Sequence, residues 1–544
     1  MEHRTPATPL LYCLSIAISV GTCFQVACAQ NDMVAADASV AELRVISTRH
    51  VCDVVGLGAV GSVPYNFPGI SASSLAQVPK TPLALPETSL MPGANPQIPL
   101  VFGGDMGRPF ATGEGKVLYV FNDTFFPPVE SATAGGANDD VLASSPGGPW
   151  LPNQECISLQ IERGQDASQY RALTVDGAPQ DGGARLGPGV VPGPGFSTGR
   201  FNFLVVQNPV QPCSVAAQNC ESQFGQPSDV CLPSQAPTTS DQGLCHFGPC
   251  GADATSPCAQ RLSTNRLAVQ QGSTNFATPQ LGVHASSDRV IAAFRGHFST
   301  VSFATEIDWA SGNGTVWAVG RDSYWGTPEL PMSPYLMRIP ASDGVLGEPV
   351  YFAGFLGTEP VFSADPQSAR PIYEESHALN QHTSISFVPE LDGGTWLLFY
   401  GGHAQPAIRT AVEQFIRPAG DDLFYSRDAG IYARWAKTPW GPWSAPLTIF
   451  NPYLPGQGGY CEEMYFADPE RKSGFECAAD RQDRNRNLNR APGLGMAGEY
   501  GAAIIPGLAT QKEDGSSATV RWLLSTWNPY RVIMLSTELS VAMK

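Results

Sequence analysis

The feature that most constrains the fold is a series of short apolar segments from Leu100 onward, each bounded by Gly, Pro, Asn or Asp. The segments are short and rich in β-branched and aromatic residues, which is typical of strands rather than helices. They comprise residues 116–121, 200–206, 289–295, 315–319, 335–339, 383–389, 395–400, 430–435, 500–505, 519–527 and 531–537. The 56 Gly and 48 Pro residues fall between these segments without a fixed period. The series therefore predicts an all-β domain.

Three stretches within the series repeat one pattern: an aromatic-containing strand, a turn, and a second strand with Trp or Pro. They cover residues 316–339, 396–402 and 432–450. The last contains KTPWGPWSAP at 437–446, the kind of segment that closes a propeller blade. The repetition predicts that the all-β domain is a β-propeller.

The N-terminus has the pattern of a secretory signal. Arg4 precedes an apolar run at 10–20, and Ala27-Cys28-Ala29 forms an A-x-A cleavage site, so we expect a signal peptide at 1–29. A secreted, periplasmic or cell-surface location follows. The alternative, a lipoprotein acylated at Cys28, is less favoured because Gln25 occupies the position that is normally Leu-like. No later apolar run approaches the ~18 residues that span a bilayer, so no membrane span is expected.

The rest of the chain divides into a strap and a domain. Residues 30–95 are first polar and then Pro-rich, which predicts an N-terminal strap with strand candidates at 45–46 and 51–55. We assign residues 96–544 to the propeller domain. Three stretches interrupt its strand rhythm and are interpreted as surface insertions: 127–149, 207–262 and 467–495.

Cysteine usage fits an exported chain. Thirteen cysteines are present and three lie in the signal, which leaves an even number of ten. We expect disulfides, with six of these cysteines stapling the insertion at 207–262, although the spacing does not reveal the pairing. Cys245-His246 and Cys250 invite a zinc interpretation, but no second matching pair follows, so we predict no metal. No cofactor is expected either.

The net charge of −17 bears on the possible partners. A field of that sign disfavours nucleic acid and anionic membranes, and it suits a neutral substrate. We therefore expect a polysaccharide or oligosaccharide substrate and no nucleic-acid partner. The sequence leaves the oligomeric state open.

Several motifs in order along the chain carry a family resemblance. They are Gly104-Asp105 with VLYVFNDTF at 117–125, GRDS at 320–323 with PYLMR at 334–338, WGPWS at 440–444, and YG at 500–501 with LSTWNPYR at 524–531. Together they resemble the domain-of-unknown-function 4185 family over about residues 95–540. That family is similar to five-bladed propeller glycosidases, and some of its members are endo-D-arabinanases of glycoside hydrolase family 183. The resemblance implies a five-bladed β-propeller that cleaves a furanoside polysaccharide such as arabinan.

Glycoside hydrolysis generally needs two carboxyl groups, one protonated acid and one ionised base or nucleophile. Asp105 and Asp123 lie at strand-end positions on either side of the segment 116–121 and are the first candidates. Glu499 and Asp322 are the alternative partners. Each acid also has a simpler interpretation, as a turn carboxylate that accepts from backbone N–H groups or as an ordinary surface carboxylate.

Polar and aromatic residues near other strand ends are candidates for substrate binding, because sugars accept hydrogen bonds and stack their C–H faces on rings. These candidates are Arg108, Arg321, His297, His382, Tyr324, Trp325, Trp527 and Tyr530. The H-E-x-x-H motif is absent from the sequence, and no nucleophile elbow is predicted, although GFSTG at 195–199 matches the bare pattern G-x-S-x-G. The alternative function is a non-catalytic propeller that binds glycan or protein at the cell surface. It becomes the better interpretation if Asp105 and Asp123 do not converge.

Overall fold

The computed structural model describes residues 42–55, 103–125, 139–146, 156–157, 159–161, 173–175, 191–207, 265–272, 274–294, 296–298, 300–321, 333–375, 382–402, 430–450, 498–527 and 531–542. At several strand ends, including those that carry Asp105, Asp123, Glu499 and Trp527, the description is of the backbone. The predicted signal peptide, the predicted insertion at 467–495 and all but Gln207 of the one at 207–262 lie outside the described residues. The predicted insertion at 127–149 is wrong in part, because Asp139–Pro146 form a strand of the first sheet.

Strands dominate the described part of the chain, with one short helix and two 3₁₀ turns. The strands are β1 (Glu42–Val55), β2 (Gly103–Ala111), β3 (Lys116–Phe125), β4 (Asp139–Pro146), β5 (Gln160–Ile161), β6 (Thr174–Val175), β7 (Val191–Ser197), β8 (Asn202–Gln207), β9 (Arg266–Gln270), β10 (Asn275–Ala277), β11 (Thr300–Asp308), β12 (Asn313–Arg321), β13 (Tyr335–Ser342), β14 (Val345–Leu346), β15 (Val350–Leu356), β16 (Glu359–Ser363), β17 (Thr383–Val388), β18 (Thr395–Gly402), β19 (Gly430–Ala436), β20 (Leu447–Phe450), β21 (Gly498–Ile504), β22 (Thr510–Gln511), β23 (Ala518–Trp527) and β24 (Arg531–Ala542). The helix is α1 (Asp288–Ile291), and the 3₁₀ turns are Gly296–Phe298 and Pro366–Ser368.

These strands form five sheets, the blades of a propeller. Blade 1 is β2-β3-β4-β5, blade 2 is β7-β8-β9-β10-β6, blade 3 is β11-β12-β13-β15-β16, blade 4 is β17-β18-β19-β20, and blade 5 is β21-β23-β24-β1. The short strands β14 and β22 pair with β13 and β23. The first strands β2, β7, β11, β17 and β21 contact one another in a closed cycle, so they are the inner strands around a central channel. The predicted fold class, an all-β five-bladed propeller, is confirmed.

The N-terminal strand closes the ring. β1 pairs antiparallel with the C-terminal strand β24, from Glu42 opposite Ala542 to Val55 opposite Val532. A disulfide between Cys52 and Cys156 then joins the outer strand of blade 5 to blade 1. Part of the predicted strap therefore supplies a propeller strand, and at least one pair of cysteines is oxidised as expected.

The blades pack through alternate residues of their strands. On β3, Val117, Tyr119 and Phe121 lie in the core shared with blade 5. Leu118 and Val120 lie in the core shared with blade 2. Because successive side chains of a strand point to opposite faces, burial of both faces requires the continuous apolar run that the sequence shows.

The predicted strand at 289–295 is wrong. The structure places α1 there, followed by the 3₁₀ turn Gly296–Phe298. Val290 in α1 and Ala293 and Phe294 just after it are buried, so the apolar residues of this run fill the core without forming a strand. Across the described ranges, no helix is both long enough and apolar enough to cross a membrane.

Candidate functional site

Residues of all five inner strands line one cavity in the central channel. They are Arg108, Pro109, Pro194, Gly195, Thr300–Phe303, His382–Ser384 and Gly501–Ala503. The cavity offers about 40 Å³ to water-sized molecules. That is room for roughly three waters, given that one water needs ~10–15 Å³ on this measure. A sugar ring does not fit inside the channel at this level, so a saccharide would have to bind at its mouth.

The channel mouth where β2, β11, β17 and β21 begin is called here the upper rim. Three inner strands carry β-bulges at this end, in β2 between Gly103 and Arg108, in β7 between Pro192 and Gly195, and in β21 between Tyr500 and Ala503. Bulges are common beside active sites because they re-aim side chains at a sheet end. The upper rim is therefore the part of the propeller where the inner strands depart from regular pairing.

Asp105 and Glu499 lie on adjacent blades at the upper rim. The backbone N–H of Met106 donates to the buried Ser525 hydroxyl at 2.7 Å, and Ser525 is paired with Tyr500. Met106 and Tyr500 directly follow Asp105 and Glu499, so this contact brings the backbones of the two acids together. Met106 is buried at a φ of 70°, a left-handed conformation that costs roughly 1–2 kcal/mol outside glycine.

Asp123 lies on the neighbouring strand of blade 1. The register pairs Asp105 with Asn122 and Gly103 with Phe125, which places Asp123 beside the same bulge. Trp527 is opposite Gly498 at the end of β23, so its backbone also lies at the upper rim. The sequence predicted Asp105 and Asp123 at strand-end positions on either side of the segment 116–121. The structure instead places both within paired strands, near the start of β2 and near the end of β3.

Four predicted site residues lie outside the described ranges. They are Asp322, Tyr324, Trp325 and Tyr530. Asp322 directly follows Arg321, the last residue of β12, which is opposite Thr300 at the start of β11. The described chain therefore reaches the upper rim at Arg321, immediately before that acid.

Arg321 belongs to a buried cluster between blades 3 and 4. Its Nη2 donates to the Tyr373 hydroxyl at 3.3 Å, and its guanidinium carbon lies 5.4 Å from the centre of the Tyr400 ring. From blade 4, Arg434 Nε donates to the Tyr400 hydroxyl at 3.0 Å, and its guanidinium carbon lies 4.1 Å from the Tyr373 ring centre. We call Arg321, Tyr373, Tyr400 and Arg434 the arginine–tyrosine cluster. Arg321 is only 1% exposed, so it contacts other side chains rather than solvent.

The electrostatics of the arginine–tyrosine cluster keep both tyrosines neutral. Burial raises the pKa of Tyr373 to about 12, the Glu375 charge adds to the rise, and Arg321 and Arg434 oppose it. Burial likewise raises the pKa of Tyr400, with contributions from Tyr373 and Glu375 and opposition from Arg434. Neutral phenols can donate and accept hydrogen bonds but cannot act as bases near pH 7. The cluster is therefore suited to binding and positioning rather than to proton abstraction.

The sequence did not identify three members of this cluster as site residues. Tyr373, Tyr400 and Arg434 come from an inter-blade connection and from two strands of blade 4. Each stands in an aromatic or apolar context that indicates core packing. Their proximity to Arg321 depends on the packing of two blades, and no local sequence signal encodes it.

The other predicted polar contacts lie below or behind the upper rim. Arg108 is buried, and its Nη1 donates to the Pro192 carbonyl at 2.9 Å, which links the inner strands of blades 1 and 2. His382 is buried against the channel cavity, with its ring centre 6.0 Å from that of Tyr500. His297 stacks on Tyr335 at 3.7 Å between ring centres. Arg108 and His382 therefore form part of the channel wall.

A search of the described residues for clusters of three or more His, Cys, Asp or Glu side chains with metal-binding geometry finds none. The predicted cysteine-rich insertion lies outside those residues, so the expectation of no metal there stays a prediction.

Comparison with known proteins adds only a likeness of fold. No protein-family model matches the chain, and no curated protein matches it. A presumed hydrolase from Bacteroides ovatus ATCC 8483 is similar in structure with 12% identity and a TM-score of 0.37, over 80% of this chain and 86% of the other. A protein of unknown function from Dyadobacter fermentans DSM 18053 has 9% identity and a TM-score of 0.30, over 92% and 99%. Likeness at this level carries no argument about activity, so the function must be argued from the residues.

Proposed function

We propose that the protein is an exported glycoside hydrolase that cleaves a furanoside-containing polysaccharide such as arabinan at the upper rim of the propeller. Asp105 and Asp123 are the candidates for acid/base or nucleophile, and Glu499 or Asp322 is the alternative partner. The observation that carries the proposal is the Met106–Ser525 contact, because it brings the backbones at Asp105 and Glu499 together on adjacent blades. The two-carboxylate mechanism requires two carboxyl groups that flank the scissile bond, and neighbouring backbones are the support for this requirement.

The surroundings of these acids support a saccharide substrate. The channel cavity beneath them is too small for a sugar, so a polymer would lie across the mouth instead of threading through it. The arginine–tyrosine cluster lies between blades 3 and 4, and its side chains bond one another instead of facing solvent. In this proposal it holds the chain next to Asp322 in a fixed position and does not touch the sugar.

The net charge of −17 also fits this substrate class. Arabinan is neutral, so the field of the protein does not repel it as it would a polyanion. The two-carboxylate mechanism needs one protonated acid, and a second carboxylate placed close to an acid raises its pKa. One acid of the pair can then serve as proton donor while the other stays ionised.

The test is an activity assay on purified protein. Wild-type protein is incubated with D-arabinan, L-arabinan and xylan, and released reducing ends are measured. The variants Asp105→Asn, Asp123→Asn and Glu499→Gln are compared with Asp288→Asn, which alters an exposed carboxylate in α1. We expect release from one furanoside polymer, loss of that release in at least two of the rim variants, and no change in the control.

Two results would count against the proposal. If the folded wild-type protein releases sugar from none of the polymers, the proposed hydrolase activity is refuted. Undiminished release by Asp105→Asn and Asp123→Asn would remove these acids from the mechanism. Polymer binding without release would favour a non-catalytic glycan-binding propeller instead.

A further inference from the structure

A second cavity lies between blades 1 and 2, at the end of the propeller opposite the upper rim. We call it the lower cleft. It has a volume of about 360 Å³ and is lined by Thr112, Glu114, Lys116, Leu118, Leu142–Ser144, Arg200–Asn202, Gln270 and Gly272. That volume falls within the range of ~300–1,000 Å³ that is typical of small-ligand pockets. The lower cleft therefore has room for a ligand that the channel cavity cannot hold.

The frame of the lower cleft is rigid on one side. The β2–β3 turn and the β7–β8 turn meet backbone to backbone, since a Cβ added at Gly113 would lie 2.8 Å from both Cα and O of Gly199. Within the first turn, the backbone N–H of Thr112 donates to the Lys116 carbonyl at 2.9 Å. Two braced turns hold the blades at a fixed separation, so the cleft is preformed, as ligand sites usually are.

The charged groups of the lower cleft are already neutralised by other side chains. Lys116 Nζ lies 3.2 Å from Glu114 Oε2, and Arg200 Nη1 lies 2.7 Å from Asp343 Oδ2. An anionic ligand would have to displace these carboxylates against a net charge of −17. The ligand class that fits is therefore uncharged.

The remaining polar lining consists of amides and hydroxyls. Asn202 Nδ2 donates to Gln270 Oε1 at 2.9 Å. A primary amide has two N–H donors and a carbonyl acceptor, so Asn202 can offer bonds beyond this one. Ser144 adds a half-buried hydroxyl, and Leu118, at 9% exposure, gives the wall a small apolar patch. Amides, hydroxyls and an apolar patch together match the hydroxyls and C–H faces of a sugar.

We propose that the lower cleft is a second saccharide-binding site, which holds a neutral oligosaccharide or a polymer end away from the catalytic rim. The choice of arabino-oligosaccharides as the first probe rests on the proposed function. The site itself rests on the volume, charge pairing and lining of the cleft. A polymer bound at both ends of the propeller would remain attached between cleavage events.

The test is titration calorimetry of the full mature chain with arabino-oligosaccharides and xylo-oligosaccharides. Titrations are made in the Asp105→Asn background, so that turnover does not consume the ligand. Asn202→Ala removes the amide, and Ser144→Trp fills the cleft. Gln511→Ala is the matched control, because Gln511 is an exposed amide on blade 5. Circular dichroism and thermal unfolding confirm that each variant is folded.

We expect saccharide binding that weakens about tenfold in Asn202→Ala, the limit for one lost hydrogen bond, and disappears in Ser144→Trp. Gln511→Ala should bind as its parent does. The inference is overturned if the folded parent binds no saccharide, or if both cleft variants bind as tightly as the parent. Cleft-dependent binding without sugar release from wild-type protein would support the cleft and refute the proposed function. Sugar release by wild-type protein without binding in the cleft would support the proposed function and refute the second saccharide site.

Discussion

The two ends of the propeller are built differently. At the lower end, β2–β3, β7–β8 and β11–β12 are joined by tight turns at 112–115, 198–201 and 309–312. These turns have their own backbone hydrogen bonds and a glycine at positive φ, such as Gly115, Gly199 and Gly312. At the upper rim the inner strands bulge, and the candidate acids and the arginine–tyrosine cluster are found there. The lower end consists of tight turns that pack on one another, as Gly113 does on Gly199, whereas bulges interrupt regular strand pairing at the upper rim.

The largest effect should come from the acids of the upper rim. Asp105→Asn and Asp123→Asn should lower kcat by about 10²–10⁴, the usual contribution of a positioned acid or base. Asp343→Asn, at a lower-end turn, should leave kcat unchanged although it removes the ion pair with Arg200. Steady-state kinetics on the polymer that is cleaved measure all three. If Asp343→Asn loses as much kcat as the two rim variants, the upper rim has no special role in catalysis.

The second effect concerns stability at the lower end. Gly199 has a φ of 83°, and a Cβ there would lie 2.9 Å from the Trp309 carbonyl oxygen. Gly199→Ala should therefore destabilise the fold by about 2–4 kcal/mol, from left-handed strain and overpacking together. Gly272→Ala is the control, because its Cβ would meet nothing within 4 Å. Urea unfolding gives both values, and a change below ~0.5 kcal/mol in Gly199→Ala would show that the turn can rearrange.

The third effect concerns the arginine–tyrosine cluster. Arg434 donates from Nε to the Tyr400 hydroxyl at 3.0 Å and from Nη1 to the Ser444 carbonyl at 2.6 Å. Lysine cannot make both bonds from one position, so Arg434→Lys should cost about 2 kcal/mol of folding free energy. Arg338→Lys is the matched control, because Arg338 is exposed and contacts only the Phe362 ring face among the contacts described for its side chain. Urea unfolding compares the two, and similar small losses would mean that the cluster contributes little to stability.

More of the fold than of the candidate site could be predicted from the sequence, and particular residues show why. The strand at 116–121 is recognisable because its composition and bounding turns are local signals. The pairing of Glu42 with Ala542 and the contact between Met106 and Ser525 join residues hundreds of positions apart. Neither pairing leaves a local pattern. Asp105 and Asp123 were therefore found as strand-end acids, but the neighbouring position of Glu499 became evident only once blade 5 closed against blade 1.

The smallest effect is a pH dependence of stability that originates at the upper rim. Burial raises the pKa of Tyr373 from its ordinary value of 10.0 to about 12. The folded state therefore holds this proton more tightly than the unfolded state does. The resulting stability is complete below pH ~10 and is lost as the pH rises through about 12.

Tyr373→Phe should therefore reduce the alkaline loss of unfolding free energy by on the order of 1 kcal/mol. This value is smaller than the full pKa shift implies, because Tyr373 is only half-buried. The measurement is urea unfolding at a series of alkaline pH values, with tyrosinate absorbance recorded on the folded protein. The variant should retain part of the loss, because burial also raises the pKa of Tyr119 and Tyr400. An identical pH profile in wild type and variant would mean that Tyr373 ionises without opposition from its surroundings, and the neutral-phenol role assigned to the arginine–tyrosine cluster would then fail.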